Sequence, residues 1–251
     1  MATGNRKLIT STDNPKLKLA RGLLRERRVR EREGLFASEG EDLLEVGLAA
    51  GREPELVLAV PDATLPSGLE RVEVEPGLLG SASVLGSGSR VIALWREAWA
   101  RPAGPVCVYL HGVGDPGNVG AVIRSAHALT EGSVALGPGC ADPHSPRAVR
   151  ASMGSVLAIA LARCSAAETP PPRVALVAHG GTAPVGAPGA TLTLCVGAER
   201  DGLPEEVVEI CDTSWTIPLR PGGAESLNVA AATAIALQRI SSAVAEPGAQ
   251  S

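Results

Sequence analysis

The sequence predicts an α/β protein: a C-terminal part built on a parallel sheet, preceded by a smaller α/β unit. Three observations predict it. From about residue 105 onward, apolar runs of strand length alternate with helical stretches. Those runs are continuously apolar rather than alternating, as in strands covered on both faces. A Pro/Gly segment, Arg101-Pro-Ala-Gly-Pro105, marks the boundary between the two parts.

In the first part, Asn14-Pro15 is a turn signal ahead of a helix expected over 16–33. GLFASEG then reads as a short strand and turn. EDLLEVGLAAG carries Leu43, Leu44, Val46 and Leu48 at helical spacing and stops at Gly51. ELVLAV (55–60) reads as a buried strand, 61–68 as a loop, and β-prone pieces with a helix follow to Leu79. VIALWRE (91–97) is a strand, and the unit closes near Ala100.

In the second part, VCVYL (106–110) is a strand, followed by a helix from Val119 that Asn118 is placed to cap. SVALG (133–137) is the next strand. Ser145-Pro146 is a cap-plus-proline helix start. RVALVAH (173–179) and TLTLCVG (191–197) are strands; a short helix follows from Pro204, then the strand SWTIPL (214–219). The last helix runs from Leu227 to Val244, with Ser226 as its N-cap; its small apolar sequence predicts burial.

The chain has 251 residues, enough for two cores. Aromatics make up 2%, so the core rests on Val, Leu, Ile and Ala, and base stacking on aromatic platforms is not expected. No apolar run reaches membrane-spanning length, and MATGNRKLITSTDNPK lacks the apolar stretch of a secretory signal; a cytoplasmic protein is expected. Five scattered cysteines without a CxxC read as buried thiols, not as a zinc site or disulfide framework. Net charge is −4, but residues 6–32 carry ten Lys/Arg against three acids. That segment is thus +7 and the remainder −11, an asymmetry that points to a basic face for phosphates or to a solvated helix.

Several residues stand out. Gly112-Val-Gly114-Asp-Pro-Gly117 spells GxGxxG after a strand, but Pro116 restricts the turn and the next strand ends in Gly137-Pro138 rather than an acid for a ribose. Arg124, in a small apolar helix, is either snorkelling or aimed at an anion. Arg147 and Arg150 share a face, and Ser152, Gly154 and Ser155 permit close packing. Gly197 at a strand end permits close approach of a ligand to the backbone, and Glu199 is a lone acid beside it. Gly222-Gly223 make the loop before the last helix adaptable, and Glu225 suits that helix's dipole.

HGVGDPGNVGAVIRSAHAL (111–129), SPRAVRASMGS (145–155) and VGAERDGLP…TIPLRPGGAESLNVAAA (196–232), in this order, resemble the three motif blocks of the SpoU/TrmH family of RNA 2′-O-methyltransferases, in the knotted SPOUT superfamily. The resemblance covers about 105–240 most fully. It implies a methyltransferase domain over 105–246 with a deep trefoil knot. NPKLK, the Arg-rich helix and GLFASEG resemble the substrate-binding domain attached to such enzymes, implying an RNA-binding domain over 1–100 and a structured 23S rRNA target more than tRNA.

The resemblance further implies S-adenosylmethionine as methyl donor, held by Gly197, Ile217 and Leu227. It implies an active site of Asn118, Arg124, Glu199, Ser226 and Asn228, completed across a homodimer. Arg124 is implied either to bind the reacting nucleotide's phosphate or to activate its hydroxyl; a guanidinium with pKa above about 12 is an awkward base. Arg150 is a phosphate candidate, and Lys16, Arg21 and Arg28 of the basic helix are expected RNA contacts. The rivals are a nicotinamide dehydrogenase on the GxGxxG match, a tRNA methyltransferase, an antibiotic-resistance methyltransferase and an RNA-binding module without activity.

Overall fold

A computed structural model describes residues 8–85, 88–185 and 191–244. Arg6 and Lys7 of the basic segment and the C-terminal PGAQS lie outside the described residues. The chain forms two compact units, one of residues 1–97 with 144–158 and one of 98–143 with 159–251.

In the first unit, α1 (Pro15–Arg25) and α2 (Arg27–Glu33) replace the single helix expected over 16–33. The break is at Glu26, which is extended (φ −126°, ψ 114°). It lets α2 fold back so that Val29 and Arg30 are buried, and the Arg30 guanidinium donates to the Leu23 carbonyl at 2.7 Å. β1 (Leu35–Glu39), α3 (Glu41–Ala49), β2 (Leu56–Ala59), β3 (Val72–Glu73), α4 (Pro76–Ala82) and β4 (Val91–Arg96) follow. The sheet has the order β1-β4-β2-β3, with β4 antiparallel to both neighbours. As an inner strand, β4 buries Val91 to Trp95 in succession, which explains its unbroken apolar run.

α6 (Pro146–Ala151), capped by Ser145 as its sequence announces, belongs to this unit. His144 stacks on Phe36 with ring centroids 4.4 Å apart, and Arg150 pairs with Asp42 at 2.9 Å. The small residues of SMGS let this turn seat on α3: a Cβ on Gly154 would lie 2.7 Å from the Val46 side chain.

The second unit is a six-stranded sheet of order β10-β8-β9-β5-β6-β7, parallel throughout. Its elements are β5 (Val106–Leu110), α5 (Pro116–Leu129), β6 (Gly132–Leu136), β7 (Ala160–Arg163), β8 (Arg173–Leu176), β9 (Leu192–Val196), α7 (Glu205–Glu209), β10 (Thr213–Trp215) and α8 (Val229–Val244). β7 is a short strand that the apolar pattern does not announce. α5 and α8 pack on each other. From β5 the chain proceeds to β6, whereas from β9 it proceeds past β8 to β10, on the other side. The β5/β9 pair is therefore a topological switch point, where the carboxyl ends of the strands leave a crevice.

One face of this sheet gathers Cys107, Tyr109, Ala135, Ala162 and Cys195 with Ala166 and Val207, and Cys164, Leu203 and Cys211 pack against them. All five cysteines are free thiols; Cys107 and Cys195 are buried, whereas Cys140, Cys164 and Cys211 are only partly buried. Burial, helped by the neighbouring thiols, pushes the Tyr109 hydroxyl up to about 12, and burial pushes the Cys164 thiol up to about 11. The thiol of Cys211 contacts that of Cys195, raising Cys195 and lowering Cys211.

The indole of Trp95, fully buried, donates to the Ser38 hydroxyl at 2.9 Å. Ser38→Ala strands that donor in the core, at an expected loss of about 1–3 kcal/mol. Urea denaturation checks it: the midpoint falls while the m-value stays unchanged.

Candidate functional site

The carboxyl ends of β8, β9 and β10 open into a cavity of about 360 Å³. Its apolar wall comes from Leu176, Val177, Val196, Ile217, Leu219 and Leu227, with Glu199, Arg200, Asp201, Glu225 and Ser226 as polar members. Ligand pockets occupy roughly 300–1,000 Å³ and are mostly apolar with a few placed polar groups. The run expected as a strand over 173–179 leaves the sheet after Leu176, and the one expected over 214–219 leaves it after Trp215. Val177, Ala178 and Ile217 are thereby released to line the cavity. Thr216 fixes the second exit, its hydroxyl accepting from the Gly181 amide at 2.9 Å.

Gly197 has a packing role besides the ligand approach its position implies. Its pro-Cβ space is filled by the backbone of Gly202 and Leu203, at 2.1–2.3 Å, so a side chain has no room. Ala198 and Gly202 exchange backbone hydrogen bonds of 3.1 and 3.0 Å. The glycine closes the 198–202 loop tightly, and the loop in turn projects Glu199. Gly197 still lines the cavity.

At the cavity's edge, Glu199 Oε1 accepts from Asn118 Nδ2 at 2.6 Å and from Asn228 Nδ2 at 2.8 Å. Asn228 Nδ2 also reaches Asn118 Oδ1 at 3.0 Å. Three segments meet here: the first turn of α5, the loop after β9 and the residue before α8. They meet at the switch point, because α5 follows β5 and Glu199 follows β9.

Two capping expectations are corrected. Asn118 does not cap α5. The helix begins earlier, at Pro116, and Asp115 caps it by accepting from the Asn118 amide at 3.0 Å. With the cap supplied by Asp115, the Asn118 carboxamide is available to Glu199. Nor does Ser226 cap the last helix, which begins at Val229 rather than Leu227. Asn228 caps it, its Oδ1 accepting from Ala230 N at 2.9 Å. Ser226 sits in the preceding loop and lines the cavity. α8 is buried along Val229, Thr233, Ala236, Leu237 and Ile240, but Ala231 and Ile235 face outward, so the expectation of a wholly buried helix is also corrected.

The structure thus brings together Asn118, Glu199 and Asn228, with Gly197, Ile217, Ser226 and Leu227 lining the adjoining cavity. Arg124 is not in this cluster. It is exposed on α5, six residues beyond Asn118 and so roughly 120° away around the helix. It makes no hydrogen bond or ion pair with another described residue. Arg150, in the other unit, is paired with Asp42. Of the basic helix, Lys16 is exposed, and Arg21 and Arg25 converge on Ser81 at 3.5 and 3.1 Å. Arg28 pairs with Glu26 at 2.7 Å while staying 85% exposed, a surface pair too weak to sequester it. None of 112–117 lines the cavity, so the GxGxxG turn does not face it. Sequence reasoning missed Leu176 to Ala178, Asp201 and Leu219 as cavity residues; the signal was their place just past strand ends at a switch point. Among the described residues no group of three His, Cys, Asp or Glu side chains is placed to hold a metal ion, and no helix is long and apolar enough to cross a membrane.

Residues 105–238 match the SpoU rRNA Methylase family. An uncharacterised tRNA/rRNA methyltransferase of Mycobacterium tuberculosis is 37% identical over 51% of this chain and 48% of its own length. The chain thus spans about half the length of the mycobacterial relatives it matches. The 23S rRNA (guanosine(2553)-2′-O)-methyltransferase RlmP of Bacillus subtilis is 30% identical over 91% of this chain and 97% of its own. The structure of an AdoMet-bound rRNA methyltransferase from Sinorhizobium meliloti superposes with a TM-score of 0.81 at 27% identity, covering 94% of this chain and 97% of that one.

Asn228→Ala removes the α8 cap and one donor to Glu199 together. The expected loss is about 1 kcal/mol for the cap. Asp115→Ala, which removes the α5 cap, is expected to lose a similar amount; paired urea titrations check both.

Proposed function

The chain belongs to the SpoU rRNA methylase family, and from that premise we propose that it transfers a methyl group from S-adenosylmethionine to a ribose 2′-hydroxyl of RNA, with 23S rRNA as the substrate. The observation that carries this reading is the Asn118–Glu199–Asn228 cluster at the edge of the switch-point cavity. The Bacillus relative supports the 23S rRNA target and the Sinorhizobium structure supports the methyl donor.

The residues present fit that donor. The cavity has the size and apolar walls of a nucleoside site. Besides Glu199, the carboxylates of Asp201 and Glu225 border it against one cation, Arg200, a balance that suits a sulfonium. Gly197, Ile217 and Leu227 would hold the donor along main chain that has left the sheet, and the donor would supply an electrophilic methyl group.

The other roles belong to this chain's own side chains. Ser226 orients the ribose hydroxyl, and Asn118 and Asn228 fix Glu199. Arg124 binds the phosphate of the reacting nucleotide, a task for which a permanently charged guanidinium is suited. Because Arg124 lies on a different face of α5 from Asn118, a second copy of the chain supplies it, and the reading includes a homodimer. The outward Ala231 and Ile235 of α8, with Ile235 39% exposed, support that surface. The reading also takes in the knotted backbone of the family, an RNA-binding domain over 1–100 with Lys16, Arg21 and Arg28 on its basic face, Arg150 as a further phosphate contact, a methyltransferase domain over 105–246 and a cytoplasmic location.

Methyl incorporation from labelled S-adenosylmethionine into total rRNA and tRNA, with mapping of 2′-O-methyl sites, tests the reading. Label in 23S rRNA is expected; label confined to tRNA, or none, contradicts the substrate or the reaction. Arg124→Ala is expected to lower the rate at least about 100-fold while calorimetry shows donor affinity unchanged.

A further inference from the structure

Glu199 holds one carboxylate oxygen by two carboxamides and leaves the other with no partner. Both donors, Asn118 Nδ2 and Asn228 Nδ2, converge on Oε1 at 2.6 and 2.8 Å. Oε2 has no hydrogen-bond partner among the described residues. Two donors on one oxygen fix the plane and direction of the carboxylate while keeping its second oxygen open, and Glu199 lines the cavity. Asp201 and Glu225 also border the cavity, but no hydrogen bond to a described residue fixes either one.

We infer that Glu199 Oε2 is the proton acceptor for the ribose 2′-hydroxyl. The inference rests on the methyltransferase reading and adds to it the base that the reading leaves unassigned. A hydroxyl oxygen that attacks carbon must lose its proton, and a positioned carboxylate is a recognised general base. A guanidinium has only donors to offer, so Arg124 takes the phosphate rather than the proton.

The balance is simple. The O–CH₃ bond forms as the S–CH₃ bond breaks, and the electron pair of the broken bond remains on sulfur, which becomes a neutral thioether. The hydroxyl proton passes to Glu199 Oε2, and Glu199 later returns it to water. Asn118 and Asn228 are positioning residues in this step. Their amide groups touch the carboxylate, and a carboxamide is not basic enough to accept the proton itself.

Glu199→Gln separates this role from a structural one. The glutamine Oε1 still accepts from both asparagines, so the cluster is retained, but the new Nε2 is a donor and takes no proton. The expected result is a single-turnover methylation rate lowered about 100-fold or more, with S-adenosylmethionine and RNA affinities within about threefold of wild type by calorimetry and filter binding. Glu199→Asp, which keeps the carboxylate one methylene shorter, is expected to retain more activity than Glu199→Gln. A Glu199→Gln protein that keeps a third or more of the rate overturns the proton-acceptor role. So does one whose lost rate is matched by lost donor or RNA affinity, because the carboxylate then acts in binding. A wild-type protein that neither binds the donor nor methylates RNA fails at the functional reading itself, and the role of Glu199 falls with it.

Discussion

Glu199 Oε1 receives carboxamide donors from two residues that lie 81 and 29 positions away in the chain. Hydrogen bonds to an ionised acceptor are shorter and stronger than neutral ones. These two tie the start of α5, the loop after β9 and the start of α8 at one point. The point lies where the sheet's connections diverge, so the crevice left by the strand order and the polar cluster coincide. Without the tie, the adaptable loop before α8, which supplies Glu225, Ser226 and Leu227 to the cavity, would lose its fixed end.

The tie is possible because capping is divided among other atoms. Asp115 caps α5 and so frees the whole Asn118 carboxamide. Asn228 uses its two ends separately: Oδ1 caps α8 and Nδ2 donates to Glu199 and Asn118. Gly197 makes the intervening loop tight enough to aim Glu199, since its missing side chain is replaced by the backbone of Gly202 and Leu203. Each is a local backbone requirement, and together they place three side chains that no single element could bring together.

This division also explains what was legible in the sequence. Continuous apolar runs located β5, β6 and β9, because strands covered on both faces need no polar alternation. Ser145-Pro146 marked α6 without ambiguity. The caps at Asn118 and Ser226 were misread because Asp115 and Asn228, equally good cap formers, stand nearby, and sequence alone does not rank them. The break at Glu26 was hidden inside an unbroken helical pattern; it follows from tertiary burial of Val29 and Arg30. β7 was too short to register. The motif blocks contain Asn118, Glu199 and Asn228, which the structure brings together, and Arg124, which it does not; that Asn118 and Asn228 converge on one oxygen of Glu199 is a long-range fact with no local signature. In the basic segment the charge excess and the i,i+4 pairing of Arg27 with Glu31 follow from helical spacing, while the pairing of Arg28 with Glu26 depends on the break at Glu26.

The central claim is that the cavity beside this carboxylate cluster is a methyl-donor site, and calorimetric titration of the purified protein with S-adenosylmethionine, beside NAD⁺ as the competing dinucleotide, tests it most directly. The account predicts saturable binding of S-adenosylmethionine near one equivalent per chain and none of NAD⁺. Saturable binding of NAD⁺ with no response to S-adenosylmethionine would contradict it.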